Sequence, residues 1–220
     1  MSQLEVYWFS GSPFSWRVQL ALSLHNIDYV SHRLDPEKGE HKAPEYVALN
    51  PRGKVPTLKD GDLILRESIA ILAYLNAKFG WQLFGNTPAE TGAIWQEVFE
   101  LENFMSVLLV PMVVPIFFDR VEANRNSIIE ASKKLKEELG RLNTILQTRE
   151  WLAGGQLTAA DVAAYPFVQL FQRTAQHERA QSLPLDLLPL EEKYPQVSTW
   201  MRRLEDVPGV KETYPPHWNQ

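Results

Sequence analysis

Strand-forming patterns end near residue 80 of this 220-residue chain, and only helical patterns follow. Any sheet must therefore come from the first 80 residues, and the rest must bury its apolar faces helix against helix. Within the first part, Leu4, Val6 and Trp8 alternate with more polar neighbours, as a half-buried strand does. Ser12-Pro13 then reads as a helix start: serine is a preferred N-cap, and proline is preorganised for the first helical position. This helix is expected to run to about Leu24. Tyr29 to Leu34 reads as a second strand, followed by a polar stretch from Asp35 to Pro44. Val55 to Leu65 reads as two short strands joined by Asp60-Gly61, and Ser68 as the cap of a helix from Ile69 to about Phe79. The order β-α-β then β-β-α calls for a four-stranded sheet flanked by helices. The expected organisation is an α/β domain over 1–80, a linker over 81–88 and an all-α helical domain over 89–220.

In the second part, Ala89 to about Phe118 is helical, and Pro111 and Pro115 should bend its second half. Ile128, Ala131, Leu135, Leu139, Leu142 and Ile145 recur three and four apart, marking an amphipathic helix. Leu157 to Val162 carries a capping-box start, with Thr158 as N-cap and Asp161 at the third helical position. The following helix is expected to be apolar and buried, and Tyr194 to Val207 reads as the last one.

Composition removes several classes of function. There is no cysteine, so disulfides, thiolate metal sites and a protein thiol nucleophile are excluded. If the protein handles sulfur, a ligand brings it. The five histidines have no metal-ligand spacing, and no metal is expected. A net charge of −5 argues against nucleic acid as partner. The apolar run Val107 to Phe118 falls short of the roughly 20 residues a bilayer needs, and the N-terminus shows no secretory pattern. No membrane is expected, and the expected address is cytoplasmic.

Four features of the first domain converge on a small peptide bearing two carboxylates, an ammonium and a thiol. Val55-Pro56 stands where a cis bond would turn the Val55 amide and carbonyl outward, free to pair with an extended peptide. Glu67-Ser68 opens a helix whose free N–H groups could seat a carboxylate, with Glu67 beside the ammonium. His41, Lys42 and Lys54 could meet a second carboxylate. Ser12, in the segment Ser10 to Ser15, could donate its hydroxyl hydrogen to a bound thiol and favour the thiolate. Each feature also has a plain structural reading: a strand-start proline, a helix cap, surface charge, an N-cap.

The segments SGSPFSWRVQLAL, GEHKAPEYVALNPRGKVPTLKDGD, ESIAILAYL and LTAADVAAYP resemble glutathione transferases over nearly the whole chain. The serine-type classes (theta, phi, tau and zeta) look closest, and HKAPEYVALNPRGKVP with the tail YPPHW is most similar to a rho-like group. The resemblance implies a thioredoxin-like first domain, glutathione as co-substrate, and addition of its thiolate to hydrophobic electrophiles. Peroxidase, dehalogenase or isomerase chemistry is the alternative, and a non-catalytic ligand-binding module with the same fold a further one. It also implies a homodimer. By resemblance Ser12 stabilises the thiolate, with Ser10 as the alternative, and Phe14 lines the site. His41 and Lys42 meet the glycyl end near Lys54, Val55 pairs with the cysteinyl backbone ahead of cis-Pro56, and Glu67 and Ser68 hold the γ-glutamyl end. Phe14 stands where the zeta class has a cysteine. Met105, Leu108, Leu109, Met112 and Phe117 are candidates for the acceptor pocket or for plain core. The tail Tyr214 to Trp218 could cover that pocket or pack on the surface.

Overall fold

The computed structural model describes residues 3–219. The chain packs as two compact units: one runs to Trp81 and resumes at Glu205, and the other is Gln82–Leu204. Residues beyond 204, assigned on sequence to the helical domain, thus pack with the first unit.

The first unit contains β1 (Leu4–Trp8), α1 (Pro13–Leu24), β2 (Val30–Arg33), a 3-10 turn (Glu40–Lys42) and α2 (Pro44–Leu49). β3 (Thr57–Asp60), β4 (Leu63–Arg66) and α3 (Ser68–Phe79) follow. The strand order is β2-β1-β3-β4. β1 lies parallel to β2, through the α1 crossover, and antiparallel to β3, which is antiparallel to β4. Leu4, Val6 and Trp8 put one face of β1 into a core with Leu58 from β3, Val18 and Leu22 from α1, and Ile71 and Leu75 from α3. Fully burying each such side chain contributes about 1.5–3 kcal/mol.

Three local details differ from the sequence reading. Asp60 pairs with Leu63, so the two-residue hairpin loop is Gly61-Asp62. The helix α2 follows the polar stretch where no helix was expected. Glu67, not Ser68, occupies the cap position of α3, with φ at +68° and no side-chain cap bond.

The second unit begins with α4 (Pro88–Glu100), opened by a capping box in which Thr87 Oγ1 accepts from Glu90 N at 3.2 Å. Two π-helical turns, Leu101–Met105 and Leu109–Val113, then flank a 3-10 turn, Ser106–Leu108, before α5 (Val114–Phe117). Pro111 and Pro115 have no N–H for a regular ladder, and the wide turn Leu109–Val113 accommodates Pro111. The helical run Pro88–Phe117 is 30 residues long and apolar enough by length and composition to cross a bilayer, where sequence alone offered only a shorter stretch. Ile94, Val98, Met105, Met112 and Ile116 are buried inside the unit, whereas Phe99, Phe104, Val107 and Val110 on the same run are exposed. The unit continues with α6 (Val121–Ile145), α7 (Ala159–Gln176), α8 (Leu190–Lys193) and α9 (Pro195–Glu205). On α6, Ile128, Ala131, Leu135, Leu139 and Leu142 face inward, as their spacing predicts.

The expected capping box at Thr158 is present, and it anchors this unit. Asp161 is fully buried and accepts from Leu152 N, Thr158 N and Trp200 Nε1 at 2.9 Å each, and from Thr158 Oγ1 at 3.1 Å. Burial pushes its carboxyl up to about 6, against the pull of these donors. Asp161→Asn sets an amide NH2 against donors, at about 1–3 kcal/mol for each one left unpaired. Because the folded value is raised, the carboxyl's proton-linked stability is full below its unfolded value, about 3.9, and is lost as pH rises through 6. Denaturant titrations should therefore show wild type gaining about 1 kcal/mol on Asp161→Asn between pH 7 and pH 5.

Candidate functional site

The candidate residues of the first unit lie where its turns and helix starts come together. Between β1 and α1 the chain makes a tight turn, with Ser12 N donating to Phe9 O at 3.3 Å and Gly11 at φ +86°. That φ suits glycine and fits a type II turn with Gly11 third. Ser12 then caps α1: its Oγ accepts from Ser15 N at 3.3 Å, and its carbonyl accepts from Trp16 N at 2.9 Å. A hydroxyl that accepts in this way keeps its own hydrogen to donate. Ser15 is fully buried inside the helix. The Ser10 hydroxyl is bonded to His217 Nδ1, 2.7 Å away.

The second group surrounds Val55. Tyr46 O–H donates to Lys54 O, and Asn50 Nδ2 donates to the same carbonyl at 2.6 Å. Both side chains are buried, and burial pushes the Tyr46 phenol up, so it remains a neutral donor. They hold Lys54 and Val55 ahead of Pro56, and the Val55-Pro56 bond is cis. Gly53, at φ +56°, packs against the His41–Lys42 turn, where an added Cβ would stand 2.8 Å from His41 O and 3.2 Å from Lys42 Nζ. His41 sets its ring edge-on to Phe9 at 5.2 Å, which links this loop to the β1–α1 turn. Its Nδ1 is buried without a hydrogen-bond partner among the described residues. Lys42 and Lys54 are exposed.

The third group lies at the start of α3. Ser68 is buried, and Arg17 Nη1, from the fully buried Arg17, donates to its Oγ at 3.2 Å. The guanidinium also lies over the Phe14 ring, 5.2 Å from its centroid. Glu67 is exposed, and its φ of +68° is an unusual conformation for a non-glycine residue. The start of α3 thus lies beside a buried cation, an arrangement that favours an anion at a helix N-terminus.

Ser12, Phe14, His41, Lys42, Lys54, Val55, Pro56, Glu67 and Ser68 are therefore linked through contacts within one unit. Met105, Leu108 and Met112 are buried in the helical unit, while Leu109 and Phe117 keep partial exposure. Among the described residues, no group of three or more His, Asp or Glu could hold a metal. Sequence reasoning passed over Arg17, Tyr46 and Asn50. Arg17 had a signal: it is the single charged residue in the otherwise apolar and small-polar α1. Tyr46 and Asn50 had none, because their roles arise from bonds to a loop carbonyl.

Residues 11–78 match the family profile "Glutathione S-transferase, N-terminal domain", and residues 101–208 match "Glutathione S-transferase, C-terminal domain". The chain is 31% identical to glutathione S-transferase A of Pleuronectes platessa, over 98% of this chain and 92% of that one. It is 32% identical to a glutathione S-transferase from the Antarctic clam Laternula elliptica, whose crystal structure superposes with a TM-score of 0.83, over 100% of this chain and 95% of that one. It also shares its fold with Ure2p in complex with glutathione, at 22% identity and a TM-score of 0.83, over 96% of this chain and 98% of that one.

Gly53 offers a direct test of the loop geometry. Gly53→Ala meets a backbone oxygen and a left-handed φ together, whereas Gly39→Ala, at φ +72°, meets nothing within 4 Å. Denaturant titration should show Gly39→Ala losing about 1–2 kcal/mol for the backbone alone. Gly53→Ala should lose about 1 kcal/mol more for the contact.

Proposed function

Since the chain belongs to the glutathione S-transferase family, we propose that it binds glutathione across these three groups and adds its sulfur to hydrophobic electrophiles as a serine-type transferase. The observation that carries the reading is the pairing of two helix starts in one unit: Ser12 capping α1, and Ser68 on α3 backed by buried Arg17. The start of α3 takes the γ-glutamyl carboxylate, with Ser68 and the charge of Arg17 behind it, and Glu67 takes the ammonium. The cysteinyl backbone pairs with Val55, ahead of Pro56. The glycyl carboxylate meets His41, Lys42 and Lys54. The thiol then lies beside Ser12 and Phe14.

The chemistry follows from those positions. A free thiol has a pKa of about 8.5 and is only a few per cent thiolate at neutral pH. Serine is too weak a base to remove the proton, which goes to solvent. The Ser12 hydroxyl donates its hydrogen to the sulfur anion and so holds it in that form. The thiolate attacks the electrophilic carbon, a C–S bond forms, and the leaving group departs or the epoxide opens. We assign the electrophile to the helical unit along Leu101–Phe117, where Leu109 and Phe117 retain exposed surface. Phe14 in place of a cysteine argues against isomerisation of the zeta type. The proposal includes a homodimer working in the cytoplasm, as the resemblance implies.

Ultraviolet absorbance of the thiolate, titrated with pH in the glutathione complex, tests the assignment. Wild type should show a bound pKa about two units below the free value, and Ser12→Ala should move it back toward 8.5. Conjugation of a chlorodinitrobenzene should fall with it. A low pKa that survives Ser12→Ala would remove Ser12 from the role, and an unshifted wild-type pKa would remove thiolate stabilisation altogether.

A further inference from the structure

The end of the chain lies along α1 in the reverse direction and is fastened to it near both ends and at the middle. Near the C-terminal end of α1, Ser23 Oγ donates to Gly209 O at 2.8 Å. Gly209 has a φ of +89°, and a Cβ there would stand 2.9 Å from Ser23 Oγ and 3.0 Å from Ser23 O, so the approach requires glycine. At the middle, Trp16 Nε1 donates to Thr213 Oγ1 at 2.7 Å. The Trp16 ring takes Tyr214 and Trp218 edge-on, at 5.3 and 5.2 Å. Tyr214 O–H donates to Glu205 at 3.0 Å, which secures the start of this strap. At the N-terminal end, His217 reaches the turn before α1.

That last contact is specific in two ways. His217 Nδ1 and Ser10 Oγ share a hydrogen bond of 2.7 Å, whichever carries the proton. The imidazole also lies against Gly11: a Cβ at that position would be 3.0 Å from His217 Cε1 and 3.4 Å from Nε2. Ser10 and Gly11 are the two central residues of the turn that Ser12 closes through its N–H to Phe9 O. The imidazole thus holds the second turn residue by its side chain and packs against the third, one residue before the N-cap.

We propose that His217 is a positioning residue for Ser12: by holding the Ser10–Gly11 turn it fixes the direction in which the Ser12 hydroxyl is presented to the bound thiol. This rests on the reading of Ser12 given above. The Ser10 hydroxyl is engaged by the ring and serves the turn, and Ser12 serves the sulfur. The tail is then part of the active site through its effect on the turn, and its aromatic residues are the anchors that bring His217 there. A donor that must meet an anion at hydrogen-bond distance loses its effect steeply when its angle or distance drifts. Loosening the turn should thus lower the thiolate fraction without removing any group that binds glutathione.

The test compares wild type, His217→Ala, His217→Gln, Ser10→Ala and the double variant Ser10→Ala/His217→Ala. Each is titrated for the thiolate of bound glutathione and assayed with a chlorodinitrobenzene, with thermal melting alongside. His217→Ala should raise the bound thiol pKa by about one unit, a tenfold loss of thiolate below that pKa. It should lower kcat correspondingly while leaving KM for glutathione in place. Glutamine can hydrogen-bond to the Ser10 hydroxyl and should restore most of both. Ser10→Ala should match His217→Ala, and the double variant should be no worse than either, because both changes break one contact. A thiol pKa unmoved by His217→Ala overturns the proposal even where the melting point falls, since the contact is then structural only. Additive effects overturn it too, as does a Ser10→Ala loss far exceeding that of His217→Ala, which would make Ser10 the donor to sulfur. An unshifted thiol in wild type is a separate result: it defeats the transferase reading on which the proposal stands.

Discussion

Between Trp8 at the end of β1 and Pro13 at the start of α1, the chain has four residues in which to leave a sheet and enter a helix. Gly11 at φ +86° makes that reversal possible, because an L side chain there would be strained and would also meet His217. Once the turn is set, Ser12 falls at the cap and the register of α1 is fixed. Val18 and Leu22 then face the sheet, Arg17 reaches Ser68, and Trp16 and Ser23 receive the tail. One helix is thus committed to three neighbours at once. A slip of one residue in the turn would rotate every one of these contacts by about 100° around the axis.

The energetic demand on such a site is modest and can be met by the groups present. Lowering a thiol pKa by two units needs about 2.7 kcal/mol in favour of the anion. A hydrogen bond to a charged group contributes about 1.5–3 kcal/mol. A helix N-terminus adds about 0.3–1 kcal/mol. One correctly aimed serine hydroxyl and the start of α1 together reach the required magnitude with no base at all. Binding is another matter. With a net charge of −5 the protein as a whole repels a ligand carrying two carboxylates. Attraction must come from local charge, and the candidates are Arg17, bonded to Ser68 at the start of α3, and the exposed Lys42 and Lys54.

The order of elements and the pattern of buried positions were legible in the sequence because both rest on periodicity and caps. Alternation in β1, the three-and-four spacing on α6, and the Thr158–Asp161 box each have a direct physical meaning in one dimension. The local structure around the candidate site was partly legible for the same reason: Ser12 announces a helix start, and Pro56 a strand start. What the sequence hid were relations between distant segments. Glu67 takes the cap position of α3 through a positive φ that no local rule assigns to glutamate, so Ser68 moved one place into the helix. Nothing in the sequence marks Tyr46 and Asn50, because their roles appear only once both side chains are seen to donate to the Lys54 carbonyl. Pro111 and Pro115 marked this helix as irregular, but not that Pro111 would sit in a wide turn, Leu109–Val113. The twelve-residue apolar run likewise understated the length of the helical run, which extends over Pro88–Phe117.

The tail gives the first unit an unusual dependence on chain length. Its contact with the β1–α1 turn joins residues 207 apart, with the whole helical unit inserted between them in sequence. The entropy of closing so long a loop grows only with the logarithm of its length, so a few well-placed contacts can offset it. Folding of the intervening residues shortens the effective loop further. Here the offset comes from aromatic packing around the buried Trp16 and from two hydrogen bonds along α1. The sheet, α1 and the turn between β1 and α1 can form as soon as the first 81 residues are available, but the turn's bond to His217 forms only when that residue arrives. With His217 in the positioning role proposed above, stability and activity become separable in this unit: the core that holds the sheet together lies in the sheet and its helices, and the contact that steadies the β1–α1 turn comes from residue 217.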